Sequence, residues 1–139
     1  MAFKNLFVDS DVILDLLLER QPFYKFSQTL LNSSNQGECY LCTSALVIAN
    51  VHYFLSKSLK DKSIAKQQIK LLSHFISILP VGLEDIQAAI DSLGNDFEES
   101  IQIHVAQKHK ADYIITRNTK DYTHSEISVL TAEQFLNTL

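Results

Sequence analysis

The sequence carries only two cysteines, no excess of positive charge and no long apolar run. Cys39 and Cys42 have the C-x-x-C spacing that invites a redox or zinc reading. No second cysteine pair exists to complete a four-thiolate zinc site. The apolar residues around the pair read as a buried strand, and a strand sends residues three apart to opposite faces. The two cysteines are therefore expected to be packing residues, and reduced thiols suit a cytoplasm. Twelve Lys and Arg stand against sixteen Asp and Glu, a formal net charge of −4. That lacks the basic footprint usual in nucleic-acid partners. It does not exclude them, because carboxylates gathered at a metal site add negative charge without removing local basic patches. No apolar run approaches the roughly 18 residues of a membrane span. Met1-Ala2-Phe3-Lys4 leads straight into an apolar strand, without a secretory apolar region. A cytoplasmic protein with no membrane partner is expected. The five histidines form no His-x-x-x-His pair with a Glu, so a zinc protease is not supported.

What is present is ordinary globular composition, 46% hydrophobic and 20% charged over 139 residues. A chain of this size buries roughly two thirds of its unfolded surface, enough for one core. No linker, repeat or low-complexity tract divides it, so one domain over residues 1–139 is expected. Apolar strands alternate with helical stretches. Leu6 to Val8 reads as a strand ending at Asp9, and Val12 to Leu18 as a helix. Pro22 is placed in the first turn of a helix from Phe23 to Asn35, which Gly37 ends. Cys39 to Thr43 is the next strand, and Ser44 caps a helix from Ala45 to Lys57. Asp61 opens another helix. Ile76 to Val81 is a strand whose Pro80 suggests an edge or terminus. Helices over Glu84 to Ser92, with Gly94 as the stop, and Phe97 to His109 lead to a strand from Tyr113 to Thr116. Ser128 to Leu130 is a possible fifth strand, and Thr131 caps the last helix. This alternation predicts an α/β fold with a central, mainly parallel sheet of four to five strands flanked by helices. In such sheets ligands bind beyond the carboxyl ends of the strands, which directs attention to Asp9 and to the residues after Thr116.

Acidic residues gather in three places: Asp9-Ser10-Asp11, Asp96-Phe97-Glu98-Glu99, and Thr116 to Asp121. The first and last follow strand ends, and the helix from Phe97 could aim Glu99 at the same crevice. Hard cations such as Mg²⁺ take oxygen ligands, usually one or two carboxylates with waters and substrate phosphate. A bound cation offsets carboxylate repulsion, lowers the pKa of a bound water and stabilises charge on phosphate oxygens. Each grouping also has a plainer role. Asp11 could cap a helix, Asp96 with Glu99 resembles a capping box, and Asn118 and Asp121 could form turns. The lysines at 57, 60, 62, 66 and 70 read as a solvated helix face.

The joint pattern resembles a known family. Phe7-Val8-Asp9-Ser10-Asp11-Val12-Ile13-Leu14-Asp15-Leu16-Leu17 looks like the opening strand and helix of PIN-domain nucleases. Thr43 to Asn50 resembles their second motif, Asp96-Phe97-Glu98-Glu99-Ser100 their third, and Ile114 to Tyr122 their fourth. The motifs span nearly the whole chain in the right order. The resemblance implies a metal-dependent ribonuclease using Mg²⁺ or Mn²⁺. Asp9, Glu99 and Asp121 would be the catalytic acids, and Asp9, Glu99, Asn118 and Asp121 the metal ligands. Asp96 would be an accessory acid, and Ser10 would orient the phosphate or the Asp9 side chain. Arg117 and Lys120 flank the fourth motif, and read either as solvated turn charges or as phosphate contacts, which give affinity without sequence reading.

Two positions depart from the family pattern. Asn50 stands where the second motif usually has Glu, and Asn118 where many relatives have Asp. Asn can offer a carbonyl oxygen to a cation but brings no charge, so a weakly held metal is expected. PIN domains of this size resemble the toxin halves of bacterial toxin–antitoxin pairs, which implies an RNA substrate, an antitoxin partner and a homodimer. Two alternatives stand beside this reading. One is a degenerate PIN domain that only binds RNA or protein. The other is a haloacid-dehalogenase-type phosphatase, suggested by Asp9-Ser10-Asp11, although no matching Lys or Gly-Asp-x-x-x-Asp stretch follows.

Overall fold

The computed structural model describes residues 3–94 and 96–139. Met1 and Ala2, where the sequence was expected to lead straight into the first strand, lie outside the described residues, as does Asn95. A sheet of five strands runs through the middle: β1 (Lys4–Val8), β2 (Cys39–Ser44), β3 (Ser77–Leu79), β4 (Tyr113–Ile115) and β5 (Ser128–Leu130). Their order is β3-β2-β1-β4-β5, and every pairing is parallel. The helices are α1 (Ser10–Leu17), α2 (Tyr24–Asn35), α3 (Ala45–Leu59), α4 (Lys62–Leu72), α5 (Leu83–Asp91), α6 (Phe97–Lys108) and α7 (Ala132–Leu136). A short 3-10 turn covers Thr119–Tyr122.

The expected α/β fold is therefore the observed one. β1 is central, so helices cover both its faces, and Leu6, Phe7 and Val8 are all buried. This is why the strand reads as a continuous apolar run rather than an alternating one. Each such side chain contributes about 1.5–3 kcal/mol by leaving water. β3 is an edge strand directly followed by Pro80, as the proline suggested, and is shorter than the expected Ile76 to Val81. Gly37, at φ +77°, closes α2. Its N–H donates to Ser34 and that of Glu38 to Ser33, which satisfies the last carbonyls of the helix.

Several local expectations change. Pro22 lies in the turn ahead of α2, not in its first turn. Asp9, not Asp11, caps α1, its carboxylate accepting from the Ser10 N–H. Asp96 caps α6 by accepting from the Glu99 N–H, so half of the expected capping box forms. α5 ends at Asp91, before Gly94. Ser44, Asp61 and Thr131 cap as expected. The two cysteines are free thiols: Cys39 is buried and Cys42 half-buried. Burial pushes both thiols up to about 11, which leaves little thiolate for redox or metal work. The five lysines from Lys57 to Lys70 are all exposed.

Candidate active site

The sheet order fixes where a site can form. The chain runs outward from β1 through β2 to β3, then returns to the other side of β1 with β4. The strand order thus reverses between β1 and β4, where an open parallel sheet has its ligand crevice. Asp9 follows β1 and Thr116 follows β4, with the Asp9 N–H donating to the Ile115 carbonyl at 2.9 Å. α6 brings its N-terminal acids to the same end. A cavity of about 130 Å³ there is lined by Asp9, Asn50, Glu98, Glu99, Asn118 and Tyr122, with Ser10 and Asp96 also on its wall. Asp96 and Glu99 also line a neighbouring cavity of about 290 Å³ with Lys120 and Asp121.

Asp9 is held from three sides. Its Oδ1 accepts from the Ser10 N–H at 2.8 Å. Its Oδ2 accepts from the Thr116 hydroxyl at 3.0 Å and from the Tyr122 hydroxyl at 2.9 Å. Tyr122 is buried, and that burial, with the negative charge of Asp9 next, pushes its phenol well above the usual range. It therefore stays a donor. Asp11 accepts from the Arg117 N–H at 2.8 Å and shares the Thr116 hydroxyl. Burial and then repulsion from Asp9 raise its carboxyl to about 6, against the pull of the Arg117 and Val12 N–H groups and the Arg117 cation.

Glu99 is pushed up to about 7, first by burial and then by repulsion from Asp96, Asp121, Asp9 and Glu98. It lies within electrostatic reach of both Asp9 and Asp121. The positive ends of the α1 and α6 dipoles face this concentration of charge and offset part of it. Among the described residues no three Asp, Glu, His or Cys side chains converge tightly enough to hold an ion by themselves. The donor set still fits a Mg²⁺-type cation, which takes one or two carboxylates and keeps several waters.

The remaining expected site residues fall as follows. The Asn50 amide donates to Glu98 at 3.2 Å, so its nitrogen is already engaged. Lys120 is exposed beside Asp121. Arg117 is engaged in a clamp: its Nε and Nη2 donate to Asp15 at 2.8 and 3.0 Å, and its guanidinium carbon lies 4.0 Å from the centre of the Phe23 ring. Arg20 donates to the same carboxylate at 2.8 Å. Sequence reasoning gave no role to Asp15, Thr116 or Tyr122. The signal available was their place within or beside the first and fourth motifs.

Comparison with known proteins bears on the family and the fold. The family model for the PIN domain matches residues 5–120. The chain is 31% identical over 140 residues to Ribonuclease VapC1 of Aquifex aeolicus strain VF5, covering 97% of this chain and 95% of that protein. A toxin–antitoxin complex from Klebsiella pneumoniae superposes with a TM-score of 0.67 at 18% identity, covering 93% of this chain and 98% of that one. Mycobacterium tuberculosis VapC20, a sarcin–ricin loop cleaving toxin, superposes with a TM-score of 0.62 at 17% identity, covering 78% and 86%. The chain belongs to the PIN-domain family.

Proposed function

We propose that this protein is a VapC-type, metal-dependent endoribonuclease, the toxin of a toxin–antitoxin pair. The observation that carries the reading is the crowding of Asp9, Asp96, Glu98 and Glu99 about one cavity, with Glu99 raised to about 7. A protein keeps such repulsion where a cation relieves it. The ribonuclease relative, similar over nearly its whole length, supports the substrate class. The phosphatase alternative falls with the family assignment.

Asp9 and Glu99 would hold Mg²⁺ or Mn²⁺, with Asp121 and the Asn118 carbonyl completing the set, directly or through water. The bound ion supplies an activated water and stabilises charge on the phosphate. Thr116, Tyr122 and the Ser10 N–H keep the Asp9 carboxylate in one orientation. Asp96 adds negative charge at the rim. Lys120, exposed beside Asp121, offers a phosphate contact, and the half-exposed Arg117 offers a second through the nitrogen not tied to Asp15. Asn50 stands as a neutral donor to Glu98 rather than a ligand.

A single domain acting in the cytoplasm as a homodimer, neutralised by an antitoxin, completes the proposal. No helix among the described residues is long and apolar enough to cross a membrane. Exposed Tyr53, Phe54, Ile64 and Leu71 on α3 and α4 support a protein partner.

The test is calorimetric titration of Mn²⁺ into wild type and Asp9→Asn, paired with cleavage of a labelled RNA hairpin. Binding and cleavage are expected in wild type and absent in the variant. Equal Mn²⁺ binding by both proteins removes Asp9 from the ligand set. A wild type that binds Mn²⁺ but leaves RNA intact supports the degenerate, binding-only domain.

A further inference from the structure

A separate cavity of about 240 Å³ opens on the other side of Asn118, which lines both it and the carboxylate cavity. Val12 on α1, Phe26 on α2 and Ala132 on α7 give it apolar walls. Arg117 and Phe23 form another wall, and here the clamp described above matters. With its guanidinium over the Phe23 ring and tied to Asp15, Arg117 lines the cavity with a planar cation held in place before any ligand arrives. Six of the ten lining residues are polar, but Asp15 and Arg117 are paired with each other and the Thr131 hydroxyl accepts from the Gln134 N–H. Ser27 is only 5% exposed, and its hydroxyl has no hydrogen-bond partner among the described residues. The Asn118 side-chain amide also has none, and the exposed carboxylate of Glu133 stands at the wall.

A fixed guanidinium plane, apolar walls and a few unpaired polar groups are what hold an unstacked base of single-stranded RNA. Building on the ribonuclease reading, we propose that this cavity binds one nucleobase of the substrate strand, next to the phosphate at the carboxylates. Asn118 is the partition between the two, so the base and the scissile phosphate belong to adjacent positions on one strand. Glu133 can only accept hydrogen bonds. It accepts freely from an exocyclic amino group, as a carboxylate does when it reads cytosine, whereas the one edge donor of uracil, N3–H, sits between two carbonyl oxygens that repel the carboxylate, so amino-bearing bases are favoured.

The test uses labelled 2′-O-methyl RNA pentamers in Mg²⁺, checked for integrity on gels, with each position in turn made abasic. Fluorescence anisotropy reads the affinity. Removing one particular base is expected to weaken binding roughly five- to a hundredfold, the worth of one stacked base. Ala132→Phe, which fills the cavity, should erase that penalty. Should that variant fail to fold, Glu133→Ala at the exposed rim serves instead and should lose the preference for amino-bearing bases over uracil. Equal binding of intact and abasic pentamers overturns the proposal. So does a penalty or base preference that persists unchanged in the folded variants, which leaves the cavity to a protein partner. Cleavage of ordinary RNA is scored separately. Base-dependent binding without cleavage sinks the ribonuclease reading and leaves the subsite standing, whereas cleavage indifferent to the base does the reverse.

Discussion

Asp15→Asn probes the clamp that underlies both the fourth-motif loop and the second cavity. Asp15 is 1% exposed and accepts hydrogen bonds from Arg20 Nε and from Arg117 Nε and Nη2, at 2.8, 2.8 and 3.0 Å. An amide in its place loses the charge and, with its oxygen kept where both arginines donate, turns an N–H₂ toward Arg117 Nε. Breaking a fully buried ion pair costs about 3–5 kcal/mol. Here the arginines are 38% and 32% exposed and can turn to water, so the cation side of that penalty is small. The expected loss is therefore nearer 2–3 kcal/mol, the scale of charge-assisted hydrogen bonds to a buried group. Urea unfolding should show a lower midpoint at unchanged slope. Arg20→Ala should cost at least about 1 kcal/mol less in the Asp15→Asn background than in wild type, because the two residues share one interaction. A loss below about 0.5 kcal/mol, within the range of an ordinary surface substitution, would refute the clamp.

Two further outcomes follow from the geometry. Tyr122→Phe removes one of two hydroxyls on Asp9 Oδ2; cleavage should fall about tenfold or more while stability shifts by roughly 1 kcal/mol at most, and undiminished cleavage by a folded variant would show that Tyr122 does not position Asp9. Asp85 is fully buried; burial alone would raise its carboxyl, but hydrogen bonds from the Gly82 N–H, His104 and Lys108 outweigh that and hold it below the usual range. The unfolded chain then binds the extra proton, so this contribution is full above about pH 4 and fades as pH falls through the folded value; Asp85→Asn should flatten the acid limb of stability against pH, and an unaltered limb would sink the assignment.

The strand–helix alternation was legible because β1 and β4 end in unbroken apolar runs and α1, α3, α4, α6 and α7 carry Asp, Ser or Thr caps. Asp9 was legible because a charge at the end of Leu6-Phe7-Val8 has no packing explanation. Glu99 and Asn118 could be placed only through their motifs, since nothing local shows that α6 and the segment after β4 converge. The role of Arg117 was not legible. Its partner lies 102 residues earlier in α1, on a helix whose other residues read as plain core, so a flexible cation was the natural inference. Tyr122 was obscured for the same reason: its hydroxyl meets a carboxylate 113 positions away. Such distant pairs depend on strand order, which a single sequence does not encode locally.

That strand order also dictates when activity can appear during synthesis. β1, β2 and β3 come from the first part of the chain, and each can pair with its predecessor soon after it is made. Asp9 is finished almost at once, yet the hydroxyls that orient it belong to Thr116 and Tyr122, and Glu99 precedes them only slightly. The pairing of β4 with β1 is the long-range step, and contacts so distant in sequence form slowly. A ribosome carrying the nascent chain thus holds a half-built sheet whose cutting centre does not yet exist. Chains that terminate early, before β4, have Asp9 without the Thr116 and Tyr122 hydroxyls that orient it. The hazardous part of the molecule is completed late, by which time a partner made alongside it can already be waiting.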